Sequence, residues 1–154
     1  MGRLWFGMVL AIASAFAANP AAGQGGGGCV VVDIAPGGYA RQLAGPGGSR
    51  ILFVSGPVEI HCGGGIIVEA DSAHSLGNEL RLIRNVFYQD SAQIMTATTA
   101  NYFRAEGRLI ARDDVEVRDR YGPSVVRGDE LQYDKVMPGR PEARIVLRGR
   151  PRAY

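Results

Sequence analysis

The chain has 154 residues, 46% of them hydrophobic, which is typical of a single globular domain. Its formal net charge is only +2 at pH 7, so the composition gives no support to a nucleic-acid-binding protein. Short runs rich in aromatic and β-branched residues alternate with Gly and Pro clusters, and this pattern favours an all-β protein.

The N-terminus has the three-part pattern of a secretory signal peptide at residues 1–17. Arg3 precedes an apolar stretch at residues 4–16, and Ala15-Phe16-Ala17 forms an A-x-A cleavage site. The apolar stretch is shorter than the roughly 20 residues that a bilayer span needs. We therefore expect cleavage near Ala17 and a periplasmic mature protein. It would be membrane-associated only if the segment remained uncleaved.

The two cysteines, Cys29 and Cys62, both follow this segment and predict one disulfide, because exported proteins fold in an oxidising compartment. Closing a loop of that length would stabilise the fold by about 3–4 kcal/mol in the chain-entropy model. His61 lies beside Cys62, but His74 is the only other histidine and the spacing is not that of metal ligands. No metal site is predicted.

The strand pattern becomes nearly continuous from residue 50 onward. Residues 18–50 are predicted to form a Gly/Ala-rich linker, with a candidate first strand at 29–35 and a loop at 36–50. The folded domain is predicted at 51–154. Turns containing Gly or Pro separate strand-like segments at 50–55, 58–62, 66–73, 79–90, 93–103, 108–119, 124–134 and 142–149.

Alternate residues of these segments form an apolar face and a charged face. Such strands belong to an antiparallel sheet with one face buried and one in water. The apolar face comprises Leu80, Leu82, Val86, Tyr88, Leu109, Ala111, Val115, Val117, Val125, Leu131, Tyr133, Ile145 and Leu147.

A polar doublet interrupts two of the strands at the same place. Arg84–Asn85 precedes Val86 in one strand, and Asp113–Asp114 precedes Val115 in another. Because the doublet recurs, it is best explained as a bulge or bend that turns the strand. The alternative, a pair of carboxylates for acid–base catalysis, would require no such recurrence.

The strand–turn–strand unit itself repeats with a period of about 27 to 31 residues, as in stacked or rolled architectures. The sequence contains neither Gly-x-Ser-x-Gly nor His-Glu-x-x-His, and neither histidine has an evident catalytic partner. We predict a protein that is not an enzyme, with no catalytic residues and no cofactor.

The ordered series of short motifs resembles the OstA-like domain of periplasmic lipopolysaccharide-transport proteins (LptA, LptC and the N-terminal part of LptD). The resemblance covers about residues 51–150. Arg84 departs from it, since family members often have Gly at that place, and the chain has fewer strand pairs than a full bridging subunit. The motifs are Ala70-Asp71-Ser72-Ala73, Leu80-x-Leu82-x-x-Asn85-Val86-x-Tyr88, Ala97-x-x-Ala100-x-Tyr102, Leu109-x-Ala111-x-x-Asp114-Val115-x-Val117 and Gly128-Asp129-x-Leu131-x-Tyr133-Asp134.

The resemblance implies a single twisted antiparallel β-jellyroll, open like a folded taco, with an apolar groove for the acyl chains of lipopolysaccharide (its lipid A part). It also implies edge-to-edge joining with other OstA-like jellyrolls, and self-association by edge-strand pairing is a further expectation. The residues expected to face the groove are Leu82, Val86, Tyr88, Ala100, Tyr102, Leu109, Val115, Val117, Leu131 and Tyr133.

Two functions remain open from the sequence. Core packing alone would explain every one of those apolar residues in any β roll. The chain would then be a structural module that binds partner proteins through its edge strands without carrying lipid.

Overall fold

A computed structural model describes residues 28–150 and, for the backbone, 152–153. The signal-peptide prediction and residues 18–27 of the predicted linker lie outside this range. The described part is all-β apart from one 3-10 turn at Pro46–Gly48, and none of its helices is long and apolar enough to cross a bilayer. The strands are β1 (Cys29–Ile34), β2 (Tyr39–Ala44), β3 (Arg50–Cys62), β4 (Ile66–Leu76), β5 (Glu79–Gln89), β6 (Gln93–Phe103), β7 (Arg108–Asp119), β8 (Val125–Asp134), β9 (Arg144–Arg148) and β10 (Arg152–Ala153).

All ten strands belong to one antiparallel sheet in which β3 to β8 follow one another in sequence order. At one edge, β1 pairs with the second half of β3 and β2 with its first half. At the other edge, β9 and β10 pair with the two halves of β8. The sheet is therefore eight strand lines wide, each edge line consists of two short strands, and the two edges are not paired with each other.

A crease runs across the strands, perpendicular to their direction. The pairing register shifts between Ser55 and Val58 in β3, and the shifts in β4 to β7 lie beside it, at 69–72, 83–86, 96–99 and 112–115. Backbone φ is positive on every second line, which bends the strand sharply there. The residues concerned are Gly56, Arg84, Asn85, Asp113 and Asp114. The predicted bends at both polar doublets are confirmed.

The crease divides the sheet into two leaves that pack against each other. Leaf 1 contains β1, β10 and residues 58–70, 86–97 and 115–128; leaf 2 contains β2, β9 and residues 50–55, 72–83, 99–112 and 130–134. The ring of Tyr88 in leaf 1 lies 6.2 Å from those of Tyr102 and Tyr133 in leaf 2. One continuous core thus fills the space between the leaves. We call the ends of the leaves opposite the crease the mouth.

Cys29 and Cys62 form the predicted disulfide. The two residues are direct partners in the β1–β3 ladder, so the bond fixes the start of the edge strand to leaf 1. A disulfide is consistent with an oxidising compartment.

The loop prediction for residues 36–50 was wrong, because β2 occupies Tyr39–Ala44. All six residues of β2 are exposed, so the strand has no apolar alternation from which it could be recognised. It is held by backbone pairing with β3. The candidate first strand is confirmed as β1. Ile145 was expected on the buried face but is 41% exposed, because it lies on edge strand β9 where leaf 1 does not cover leaf 2.

Replacing Arg84 with glycine should raise the free energy of unfolding by about 1 kcal/mol. Arg84 has φ 60°, a left-handed conformation that costs most residues roughly 1–2 kcal/mol and glycine much less. Urea denaturation of Arg84→Gly measures the effect. Asp113→Gly is the matched control at the same place in β7, with a smaller gain, because Asp tolerates this conformation. A loss of stability in Arg84→Gly would contradict the strain.

Candidate functional site

The ten residues predicted to face a groove all lie between the two leaves. Each is at most 3% exposed, and all belong to the single apolar core. Leaf 1 contributes Val86, Tyr88, Val115 and Val117; leaf 2 contributes Leu82, Ala100, Tyr102, Leu109, Leu131 and Tyr133. The structure brings the predicted set together, and in this conformation the side chains contact one another.

These side chains are arranged in rows, because residues paired across strands lie on the same face of a sheet. The row of leaf 2 nearer the crease consists of Val54, Ala73, Leu82, Ala100, Ala111, Leu131 and Leu147. A row of leaf 1 consists of Val31, Ile60, Val68, Tyr88, Met95, Val117 and Val126. Both rows run parallel to the crease, the row of leaf 2 from β3 to β9 and the row of leaf 1 from β1 to β8.

A buried carboxylate closes the mouth between β5 and β8. Asp90, in the β5–β6 turn of leaf 1, is only 3% exposed. Its Oδ1 accepts hydrogen bonds from the backbone N–H groups of Ala92 and Gln93, both at 2.8 Å. Its Oδ2 accepts from the hydroxyls of Tyr88 (3.2 Å) and Tyr133 (2.7 Å). The bond from Tyr133 crosses from leaf 2 to leaf 1.

The environment of these phenols keeps them protonated. Burial raises the pKa of Tyr88 above its usual range, and the negative charge of Asp90 raises it further. Burial also raises the pKa of Tyr133, together with the hydrogen bond that its hydroxyl donates to Asp90. Burial raises the pKa of Tyr102 as well. A protonated phenol can donate to the carboxylate, whereas a phenolate would be repelled by it.

A second contact crosses the mouth next to this one. Lys135 follows β8 in leaf 2, and a methyl group added at Gly64, in the β3–β4 turn of leaf 1, would lie 2.9 Å from its Nζ. Glycine suits this position because the backbone has φ 82°, in the left-handed region. The end of β8 therefore touches two turns of leaf 1.

The outer faces are polar and carry ion pairs between strands. Glu116 accepts hydrogen bonds from Arg127 and Arg118, which hold the pKa of that carboxyl below its usual value. Glu130 lies between Arg112 (3.0 Å) and Arg148 (3.1 Å). Such exposed pairs contribute little stability. A depression of about 780 Å³ on this face is lined largely by charged and polar residues, which suit neither acyl chains nor other apolar ligands.

Two arginines at the mouth of leaf 2 have different partners. Arg108 pairs with Asp134 at 2.7 Å, and burial of that carboxyl is outweighed by its hydrogen bonds from Arg108 and Gln132, so its pKa is lowered. Arg140 donates to the carbonyl oxygens of Lys135 and Glu106, which carry no formal charge.

The short strands at the two edges differ in regularity. Strand β1 has a bulge at Val32, between the pairs Val31–Ile60 and Asp33–Glu59, and bulges oppose edge-to-edge pairing. Strands β2 and β9 pair in regular register throughout their lengths, and both belong to leaf 2. Each of these two strands has one side that is unpaired within the described residues.

The histidines lie apart from the interior. His61 contacts the carboxylate of Glu59 on the outer face, and His74 packs against the ring of Phe53 at 4.7 Å. Cys62 is held in the disulfide.

The sequence analysis missed Asp90 and the core contributed by β3 and β4. Alternation at Val58 and Ile60, and again at Ile66 and Val68, was the available signal for the core. An Asp between two strands could also have indicated a turn with side-chain hydrogen bonds. Nothing in the sequence indicated its contact with Tyr133, 43 residues away.

No family model matches the sequence. A search of curated proteins also finds no match.

Alkaline pH should destabilise the protein through Tyr88 and Tyr133. In the unfolded chain these phenols ionise near pH 10, whereas the fold holds them protonated. Their contribution to the free energy of unfolding is therefore complete below pH 10 and is lost progressively above it. Each such group costs up to about 1.4 kcal/mol per pH unit. Between pH 9 and pH 11, urea denaturation should show a larger loss for the wild type than for Tyr133→Phe. Equal losses would contradict the raised pKa of Tyr133.

Proposed function

We propose that the protein is a periplasmic component of lipopolysaccharide transport that holds acyl chains between its two leaves. On this proposal the bent sheet is the jellyroll of an OstA-like domain. The observation that carries it is the set of apolar rows that run parallel to the crease toward two unpaired edges. Lipid chains lying along such rows would be shielded from water, and each buried CH₂ would contribute about 0.8 kcal/mol.

The buried interior sets a condition on this function. Since the side chains of the rows contact one another, acyl chains can enter only if the leaves separate at the mouth. The crease can act as the hinge, because the backbone of each long strand continues there from one leaf to the other. Two cations at the mouth of leaf 2, Lys135 and Arg140, would then meet the phosphates of the headgroup.

Photo-cross-linking tests whether lipid lies inside. Tyr102 faces the interior and is 3% exposed, and Phe103 is its neighbour on the opposite face of β6. With p-benzoylphenylalanine at Tyr102, purified lipopolysaccharide should become cross-linked on irradiation. The same group at Phe103 is the matched control and should give several-fold less product.

Equal cross-linking at the two positions, or none at Tyr102 in a variant that retains the wild-type circular dichroism spectrum, would contradict a lipid-filled interior. Oligomers without retained lipid in native mass spectrometry would instead support the second function, a module that joins partners by its edges.

The edge strands support joining between jellyrolls. The eight lines alternate in direction, so the β9 line of one copy is antiparallel to the β2 line of the next when copies follow head to tail. Both strands lie in leaf 2 and both are regular. Pairing of β9 with β2 would therefore extend leaf 2 as one antiparallel sheet and align the apolar rows of successive domains.

A charge on β2 should weaken this association. Leu43 is 41% exposed on regular β2, and Leu43→Lys should raise the dissociation constant for self-association about tenfold, because charged edge residues oppose strand addition. Val30, exposed on bulged β1, provides the control Val30→Lys with a much smaller effect. Sedimentation velocity over a concentration series measures both. Equal shifts, or a wild type that stays monomeric throughout, would exclude joining through β2.

A further inference from the structure

Asp90 is a carboxylate that the apolar interior does not need for packing. It can only accept hydrogen bonds when ionised, and in a buried site it requires donors. Three of its four donors come from leaf 1 itself: the N–H groups of Ala92 and Gln93 and the hydroxyl of Tyr88. The fourth donor, Tyr133, comes from leaf 2.

Because of this distribution of donors, the contact between the leaves can be lost while the β5–β6 turn keeps its structure. If the leaves part, the turn keeps both bonds to Oδ1 and the backbone bond from Asp90 N–H to the Gln93 carbonyl oxygen. Water can then replace the Tyr133 hydroxyl at Oδ2. At Asp90 itself, opening therefore breaks one hydrogen bond and unfolds no strand, while the apolar side chains that separate add their own cost.

We propose that the hydrogen bond between Tyr133 and Asp90 is a latch that holds the mouth closed and whose release lets the leaves part. The role of the latch rests on the proposed function, since the opened mouth is where acyl chains would enter. The latch itself concerns only the opening of the leaves and not the ligand. Lys135, two residues after Tyr133, places its Nζ near Gly64 of leaf 1.

Two variants, each lacking one hydroxyl, distinguish two roles for the Tyr133 hydroxyl. It either holds the leaves together or only supplies a hydrogen bond that the buried carboxylate needs. Tyr133→Phe removes the bond between the leaves, and Tyr88→Phe removes a bond to the same oxygen within leaf 1. Both keep the aromatic ring and its packing against the other tyrosines. Urea denaturation of each variant supplies its global stability.

Thiol labelling measures how often the leaves part. Met95 pairs with Tyr88 near the mouth and is 2% exposed, so a cysteine at this position reacts with a thiol reagent only when the leaves open or the protein unfolds. Cys29 and Cys62, the only cysteines of the chain, are joined in the disulfide and do not compete. In the Met95→Cys background, Tyr133→Phe should increase the labelling rate about tenfold beyond the change accounted for by global stability. Tyr88→Phe should show no increase in labelling rate beyond the change accounted for by its global stability.

Equal excess rates in the two variants, or no excess in Tyr133→Phe, would overturn the latch. Binding of fluorescently labelled lipopolysaccharide to the same proteins is measured in parallel and tests the proposed function separately. Faster labelling of Tyr133→Phe with no lipid bound by any variant would leave the latch standing and remove the transport role. If all variants bound lipid equally and were labelled at equal rates, the transport role would stand and the latch would be excluded.

Discussion

The crease is the constraint on which the rest of the structure depends. A flat sheet of eight lines would expose one entire apolar face to water, and no helix in the described residues is available to cover it. Bending every line at the same height lets the sheet cover itself. The bend in β5 and β7 uses consecutive left-handed residues, three of which are Asn or Asp, the side chains that tolerate this conformation best after glycine.

The polar contacts between strands differ between the crease and the mouth. At the crease, where the two leaves are continuous, Asn85 donates to Asp71 on the adjacent strand at 3.0 Å. At the mouth, where the leaves are joined by no backbone, contact depends on side chains from separate strands, and Asp90 receives one of its bonds from each leaf through a tyrosine. The backbone therefore connects the leaves at the crease, and side-chain contacts alone connect them at the mouth.

Sequence patterns revealed what is local and repeated. The alternation of Leu80, Leu82, Val86 and Tyr88 located one buried face, and the recurrence of a polar doublet located the bend. Strand β2 was missed because its attachment is by backbone alone, and the exposure of Ile145 because it depends on how the leaves overlap. The bond between Asp90 and Tyr133 joins residues that only the folded bend brings together.

The disulfide restricts how copies of this chain can exchange segments. Edge strands near a terminus are the elements that domain-swapped dimers most readily trade, since they can peel away and dock on a neighbour. Cys29 is bonded to its own ladder partner, Cys62, so β1 cannot leave its subunit while the bond is intact. Swapping of β1 between copies would therefore require reduction of this bond.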